Sequence, residues 1–260
     1  MAVVTGGTSN IGLAIAAHFL NCGWNVTVLS RGRQSAARLL DVAASAPGAL
    51  ELLQADVTEP VELERAALLV ARRFGRVSLL VNNAGGLCEK EALLETDPAW
   101  FRSVFDLNMC GTFNSCRAFG ELIIKSRGKI INLSGGGATS ASPDGWNLAY
   151  TSAKAAVLRF TESLANQLAP QGVEVYAVDP GWVPSPEERG KILNDEQPEA
   201  LVDKTYLRAA EETPALIAYL LTNGGLDLTG RLFSVLDDYR QTINLLRRHP
   251  DAEALKLRLS

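Results

Sequence analysis

Short runs of aliphatic and β-branched residues alternate along this chain with longer stretches whose apolar positions recur every three or four residues. The short runs are residues 2–4, 26–29, 50–55, 77–81, 129–133, 173–178 and 231–235. Several are apolar at every position, the pattern of strands buried on both sides. Between them, apolar spacing predicts helices over residues 10–21, 33–45, 59–74, 97–126, 147–169 and 211–222, the first with Ile11, Ile15 and Phe19 on one face. Strands alternating with helices predict βαβ units, and so an α/β fold with a doubly wound, mostly parallel seven-stranded sheet and helices on both faces. No repeat, low-complexity tract or linker divides the chain, which predicts one domain over residues 1–260. Residues 237–260 extend past the last strand as an additional helix and tail, with Asp237 or Asp238 placed to cap that helix.

Two segments interrupt the regularity. Residues 134–147 are rich in Gly, Ser and Pro, and residues 180–198 hold four prolines. Both follow strands, and in open α/β sheets ligands sit beyond the carboxyl ends of the strands, so both are expected to wall a substrate site. Trp146 and Trp182 flank these walls and offer aromatic planes.

Composition narrows the function. Hydrophobic residues make up 47% of the chain, enough for a sizeable core, while a net charge of −4 argues against a nucleic-acid partner. No apolar run approaches the roughly 20 residues that cross a bilayer, and no secretory leader pattern is present, so a cytoplasmic location away from membranes is expected. Cys22, Cys88, Cys110 and Cys116 have no metal-ligand spacing and read as free thiols, with no metal site expected. Glu89, Glu91 and Asp144 read as solvated charges, and His18 and His249 have no catalytic placement.

The chemistry lies in two motifs. Tyr150 and Lys154 are four residues apart in a predicted helix, which puts them on one face, one turn apart. A phenol is a poor base at neutral pH, and a nearby ammonium favours its phenolate. A phenol poised in this way can give or take the proton of an alcohol oxygen. The second motif, Thr5-Gly6-Gly7-Thr8-Ser9-Asn10-Ile11-Gly12, follows the first strand and opens a helix. Glycines let backbone approach a phosphate, and the helix N-terminus offers free N–H groups and a positive dipole end. At the end of the second strand stand Ser30 and Arg31, with no carboxylate to bind a ribose 2′-hydroxyl. Arg31 can pair with a 2′-phosphate, which favours NADP(H) over NAD(H). Asp56-Val57 is placed at an adenine edge, and the small residues of Asn82-Asn83-Ala84-Gly85 leave room for a cofactor.

In this order, Thr5-Gly6…Gly12, Asp56-Val57, Asn82-Asn83-Ala84-Gly85, Asn108, Tyr150…Lys154 and Pro180-Gly181 resemble the short-chain dehydrogenase/reductase family over about residues 3–236. The resemblance implies a Rossmann-type fold, a nicotinamide cofactor and oxidoreduction of an alcohol or carbonyl. It implies Tyr150 as general acid/base, Lys154 on the nicotinamide ribose, Asn108 holding a proton-relaying water, Pro180, Gly181, Trp182 and Val183 beside the nicotinamide, and Ser185 near the phosphates. A homodimer or homotetramer through the helices of Asn108 and Tyr150 is also implied.

Two departures stand out. Asn10 replaces the middle glycine of the first motif; asparagine tolerates left-handed backbone, and its amide is also placed to touch the cofactor. The family's serine after strand five is missing: counting along the strand puts Gly135 there, and counting back from Tyr150 gives Gly137. Ser134 is the first candidate to replace it; Thr139, Ser140, Ser142 or the backbone of Gly135-Gly136-Gly137 are alternatives. The expected activity is NADP(H)-dependent hydride transfer to or from a secondary alcohol or ketone. A dinucleotide-binding module without catalysis, and a redox-assisted epimerase or dehydratase of a sugar-like substrate, are the competing readings.

Overall fold

The computed structural model describes residues 1–32, 36–86, 92–139, 147–184 and 207–249. Its centre is a seven-stranded sheet, parallel throughout, in the order β3-β2-β1-β4-β5-β6-β7. The strands are β1 (Ala2–Thr5), β2 (Val26–Ser30), β3 (Leu50–Gln54), β4 (Leu79–Asn82), β5 (Lys129–Leu133), β6 (Glu174–Asp179) and β7 (Leu232–Ser234). Each predicted strand is present, shifted by no more than two residues at either end.

Eight α-helices cover the sheet among the described residues: α1 (Asn10–Asn21), α2 (Ala37–Ser45), α3 (Pro60–Phe74), α4 (Pro98–Phe105), α5 (Gly111–Ser126), α6 (Leu148–Leu168), α7 (Glu212–Asn223) and α8 (Tyr239–Arg248). Side-chain alternation along the strands sorts them into two layers. Val4, Val28, Val81, Ile131 and Val178 meet α1, α2, α7 and α8 on one face. Val3, Leu80, Ile130 and Val175 meet α3, α5 and α6 on the other. The continuous apolar runs arise because both faces are covered.

The sequence predicts one helix over residues 97–126, and the structure corrects this. A π-helical turn, Asp106–Cys110, separates α4 from α5. Its single inserted residue leaves the axis nearly continuous, so the apolar spacing runs on through it. At the other end of the chain α8 is docked rather than frayed. Asp238 caps it, accepting from Gln241 N at 3.0 Å, and Ile243 and Leu246 are buried in the core. Arg247 donates to the carbonyls of Asn223 and Gly224 at 2.7 and 3.1 Å, satisfying the C-terminal end of α7. Residues 250–260 of the expected tail lie outside the described residues.

Candidate active site

The strand order reverses direction between β1 and β4, which opens a crevice beyond the carboxyl ends of the strands. A cleft of about 1150 Å³ lies there, lined by the segments that follow all of the first six strands.

One half is built from backbone. Gly6 has φ +64° and Asn10 φ +44°, so the chain turns tightly from β1 into α1. Asparagine thus occupies the left-handed position at the place where the motif departs from glycine. Asn10 lines the cleft, and its Nδ2 donates to Val183 O at 2.8 Å, joining the first turn to the loop after β6. A Cβ on Gly12 would collide with Gly6 O and lie 2.5 Å from Asn83 Nδ2. Asn83 Nδ2 in turn donates to Thr5 O and Gly6 O, both at 3.0 Å, and Thr5 Oγ1 accepts from Ala84 N at 2.9 Å. The ends of β1 and β4 are therefore stitched together beneath the turn. Ser9, the N-cap of α1, makes no side-chain cap bond and the first turn carries no acidic residue, so the helix end presents its N–H groups and dipole uncompensated.

Along the rim, Ser30 Oγ donates to Gly32 O at 2.9 Å, and the exposed Arg31 has no ion-pair partner among the described residues. Asp56 is partly engaged: its Oδ1 accepts from Thr58 N at 2.9 Å and Thr58 Oγ1 at 2.8 Å. Val57 is buried against Gly111, which needs to be glycine because its Cβ would lie 2.6 Å from Val57 Cγ2. Asn82, assigned from sequence to the cofactor, is instead buried in a polar ladder: Nδ2 donates to Asn132 Oδ1 at 2.8 Å, and Asn132 donates to Thr161 Oγ1 at 2.8 Å. It does not line the cleft, whereas Asn83, Ala84 and Gly85 do. Strand alternation is the reason, since Asn82 still belongs to β4 and its side chain turns toward the helices rather than the strand end.

The other half is built from side chains. Tyr150 and Lys154 rise one turn apart on α6, and the ammonium lies 5.6 Å from the centre of the phenol ring. Lys154 is 5% exposed, and its Nζ donates to Leu133 O at 2.9 Å. Burial pulls its pKa down to about 8, because the ammonium has lost its water shell. Asn108 sits in the π-helical turn with no exposed surface. Its Nδ2 donates to Val104 O at 2.8 Å and Gly86 O at 3.2 Å, which leaves Oδ1 buried without a partner. A Cβ on Gly85 would be 2.8 Å from Asn108 Oδ1 and 3.4 Å from Lys154 Nζ. The two polar atoms therefore look onto one small space above the Gly85 Cα.

Ser134 lines the cleft, and its buried Oγ has no hydrogen-bond partner, Tyr150 included. The residue that faces Tyr150 is Gly135, on whose Cα the phenol oxygen packs. Pro180, Gly181, Trp182 and Val183 line the far wall, with Gly181 at φ +65°. Sequence reasoning missed Asp179, which ends β6 in the cleft wall. Its Oδ1 accepts from Gly181 N at 3.0 Å and its Oδ2 from Ser234 Oγ at 3.4 Å, and burial raises its pKa. The Asp-Pro-Gly order was the available signal, since an aspartate there can accept the amide two residues on. Asn147, at φ +69° before α6, was missed as well; its Oδ1 is buried and unpartnered. Cys22, Cys110 and Cys116 are free thiols, and burial pushes the Cys116 thiol up to about 12. No helix among the described residues is long and apolar enough to cross a membrane. Cys88, Glu89, Glu91, Ser140, Ser142, Asp144, Trp146 and Ser185 lie outside the described residues.

Uncapped helix end, crowded glycines, exposed arginine and orphaned buried oxygens all suit an elongated phosphate-bearing ligand with a polar end near Tyr150. Comparison with known proteins agrees. The model for short chain dehydrogenases matches residues 1–196. A 3-oxoacyl-[acyl-carrier-protein] reductase of Synechocystis is 31% identical over 238 residues, covering 90% of this chain and 94% of the relative. A D-beta-hydroxybutyrate dehydrogenase of Rhizobium meliloti is 31% identical over 251 residues, covering 88% and 94%. Among solved structures, a short-chain type dehydrogenase/reductase from Mycobacterium ulcerans shares the fold, with a TM-score of 0.81 at 24% identity over 90% of this chain and 87% of that one. The chain therefore belongs to the short-chain dehydrogenase/reductase family and is an oxidoreductase.

Proposed function

We propose that this enzyme interconverts a secondary alcohol and a ketone with NADP(H), Tyr150 handling the proton. The carrying observation is the convergence of the Tyr150 phenol, the buried Lys154 ammonium and the unpartnered Asn108 Oδ1 in the cleft that the glycine turn opens. Gly6, Thr8, Ser9, Ile11 and Gly12 would hold the pyrophosphate, Ser30 and Arg31 the 2′-phosphate, and Asp56 and Val57 the adenine. The loop of Pro180, Gly181 and Val183 would border the nicotinamide, which when bound carries the hydride.

The chain's own residues then do three things. Lys154, held by Leu133 O, keeps positive charge beside the phenol and favours its ionised form. Tyr150 gives its proton to the carbonyl oxygen during reduction and takes it back during oxidation. A water above Gly85, bonded to Asn108 Oδ1 and within reach of Lys154, would return that proton toward solvent. Arg31 supports the phosphorylated cofactor because it is an exposed guanidinium, with no ion-pair partner among the described residues, at the rim where no carboxylate ends β2. The two relatives act, by their names, on a 3-oxoacyl-[acyl-carrier-protein] and on D-beta-hydroxybutyrate, which supports a ketone or secondary alcohol as substrate here. Exposed Phe113 on α5, edge-on to Phe160 of α6 at 6.2 Å, supports assembly through these two helices as a homodimer or homotetramer.

Tyr150→Phe tests the reading. Loss of the general acid/base is expected to lower kcat by about 10²- to 10⁴-fold, with the dissociation constants of NADPH and NADH unchanged and NADPH the tighter. Wild-type turnover in that variant would remove Tyr150 from the reaction.

A further inference from the structure

We propose that Gly135 is a positioning residue, whose missing side chain forms the seat that holds the Tyr150 hydroxyl in place; the proposal rests on Tyr150 being the acid/base. A Cβ at this position would collide with the phenol oxygen, and it would lie only 3.1 and 3.4 Å from two ring carbons, Cζ and Cε1. The crowding belongs to this position rather than to the glycine run, since a Cβ on neighbouring Gly136 would meet nothing within 4 Å.

Of the two partners, the backbone of residue 135 is the less able to retreat. Residue 135 is tied down on both sides: Ser134 N donates to Val178 O at 2.8 Å, and Ala138 N donates to Gly135 O at 3.3 Å. Tyr150 is anchored by its helix, where Lys154 one turn later donates to Leu133 O at 2.9 Å. That carbonyl belongs to the residue just before Ser134, so strand end and helix are joined within two residues of the seat. A side chain at 135 would therefore be accommodated mainly by swinging the phenol aside, by about 1 Å if ordinary van der Waals separation is to be restored.

The position is also the one at which the sequence pattern leads one to look for a serine. With the phenol where it stands, a hydroxymethyl group there would compete with it for the same volume. It would not stand beside the phenol as a second donor to the substrate oxygen. The neighbouring Ser134 Oγ is buried and has no hydrogen-bond partner.

The test uses Gly135→Ala and Gly135→Ser in the full-length enzyme. A displacement of about 1 Å at a reacting group can cost 100-fold in rate, and a kcat loss of about that size is expected in both variants, with the NADPH dissociation constant within threefold of wild type. A double-mutant cycle on thermal unfolding separates positioning from general damage. Gly135→Ala is expected to lower the melting temperature in the Tyr150 enzyme and to lower it by less than half as much in the Tyr150→Phe background, where the colliding oxygen is gone. Equal losses in the two backgrounds would overturn the seat, and so would Gly135→Ser turning over as fast as wild type. If Tyr150→Phe alone keeps full turnover, the acid/base assignment fails instead, and the unfolding cycle still reports on the packing.

Discussion

Two glycine-rich loops leave the sheet into the same cleft, and they use glycine for different ends. In the turn from β1 to α1 the crowding atoms are backbone and a structural amide: Gly6 O and Asn83 Nδ2 around Gly12, Ala84 Cα at 3.0 Å from a Cβ on Gly6. After β5 the crowding atom at Gly135 is the hydroxyl of Tyr150, and Gly136 faces open space. The first loop lacks side chains where its own turn must fold. The second lacks one where the Tyr150 phenol packs. Substitutions in the first should therefore be read in stability and ligand binding, and those in the second in turnover.

Gly12→Ala is the strongest challenge to that division. Its Cβ meets backbone on one side and the amide that binds Thr5 and Gly6 on the other. Overpacking against groups that cannot rotate away is expected to cost about 3 kcal/mol or more, seen as a melting temperature lower by roughly 10 °C. NADPH binding should be lost with it. An alanine variant that unfolds like wild type and keeps its cofactor affinity would erase the contrast with Gly135.

Lys154 ties α6 to the start of the second loop, since it holds the carbonyl next to Ser134, and its burial makes a pH signature. Its folded-state pKa of about 8 lies below the ordinary value of 10.5. Below pH 8 both folded and unfolded chains carry the proton, so the buried charge exerts its full cost. Between about pH 8 and 10.5 the unfolded chain binds more protons, and stability rises with pH. The ligand-free wild-type enzyme is thus expected to gain up to roughly 3 kcal/mol across that window from this group, and Lys154→Met to lack the gain. Denaturant unfolding of both proteins at pH 7, 8.5 and 10 measures the difference; parallel profiles would show that Lys154 keeps its ordinary pKa. In turnover, Lys154→Met should fall alongside Gly135→Ala, with the loss of charge rather than displacement as the cause.

How much of this was legible follows the same division. The strands and the two layers could be read because burial on both faces leaves continuous apolar runs, as in residues 2–4 and 79–81. The glycine turn from β1 into α1 could be read because its glycines answer to local backbone geometry. The π-helical turn at Asp106–Cys110 could not: it disturbs hydrogen bonding without disturbing the apolar pattern, although Asn108 within it was singled out. Gly135 and Gly137 could not be told apart by counting, because the loop length between β5 and α6 sets the count. Only the fold decides which α-carbon meets the phenol. Asn82 was misplaced because its motif spans a strand end, and one residue of alternation turns its side chain from cleft to core. The bond from Asn10 to Val183 spans 173 residues and leaves no local trace.

Asn10 offers the smallest effect and the finest cut, because it does both jobs at once. Its backbone sits at φ +44°, and its side chain reaches Val183 O from the exposed rim. Alanine keeps neither advantage, glycine keeps only the backbone freedom. Left-handed backbone costs an ordinary residue roughly 1–2 kcal/mol, whereas an exposed hydrogen bond contributes about 1 kcal/mol or less. Asn10→Ala is therefore expected to lower the melting temperature by roughly 2–6 °C, and Asn10→Gly by less than half of that. Such an order would place Asn10 with Gly6 and Gly12 as a conformational residue of the first loop. Equal losses would mean that the tie to the loop after β6 is what position 10 supplies, and that the first loop, like the second, is held by a side chain.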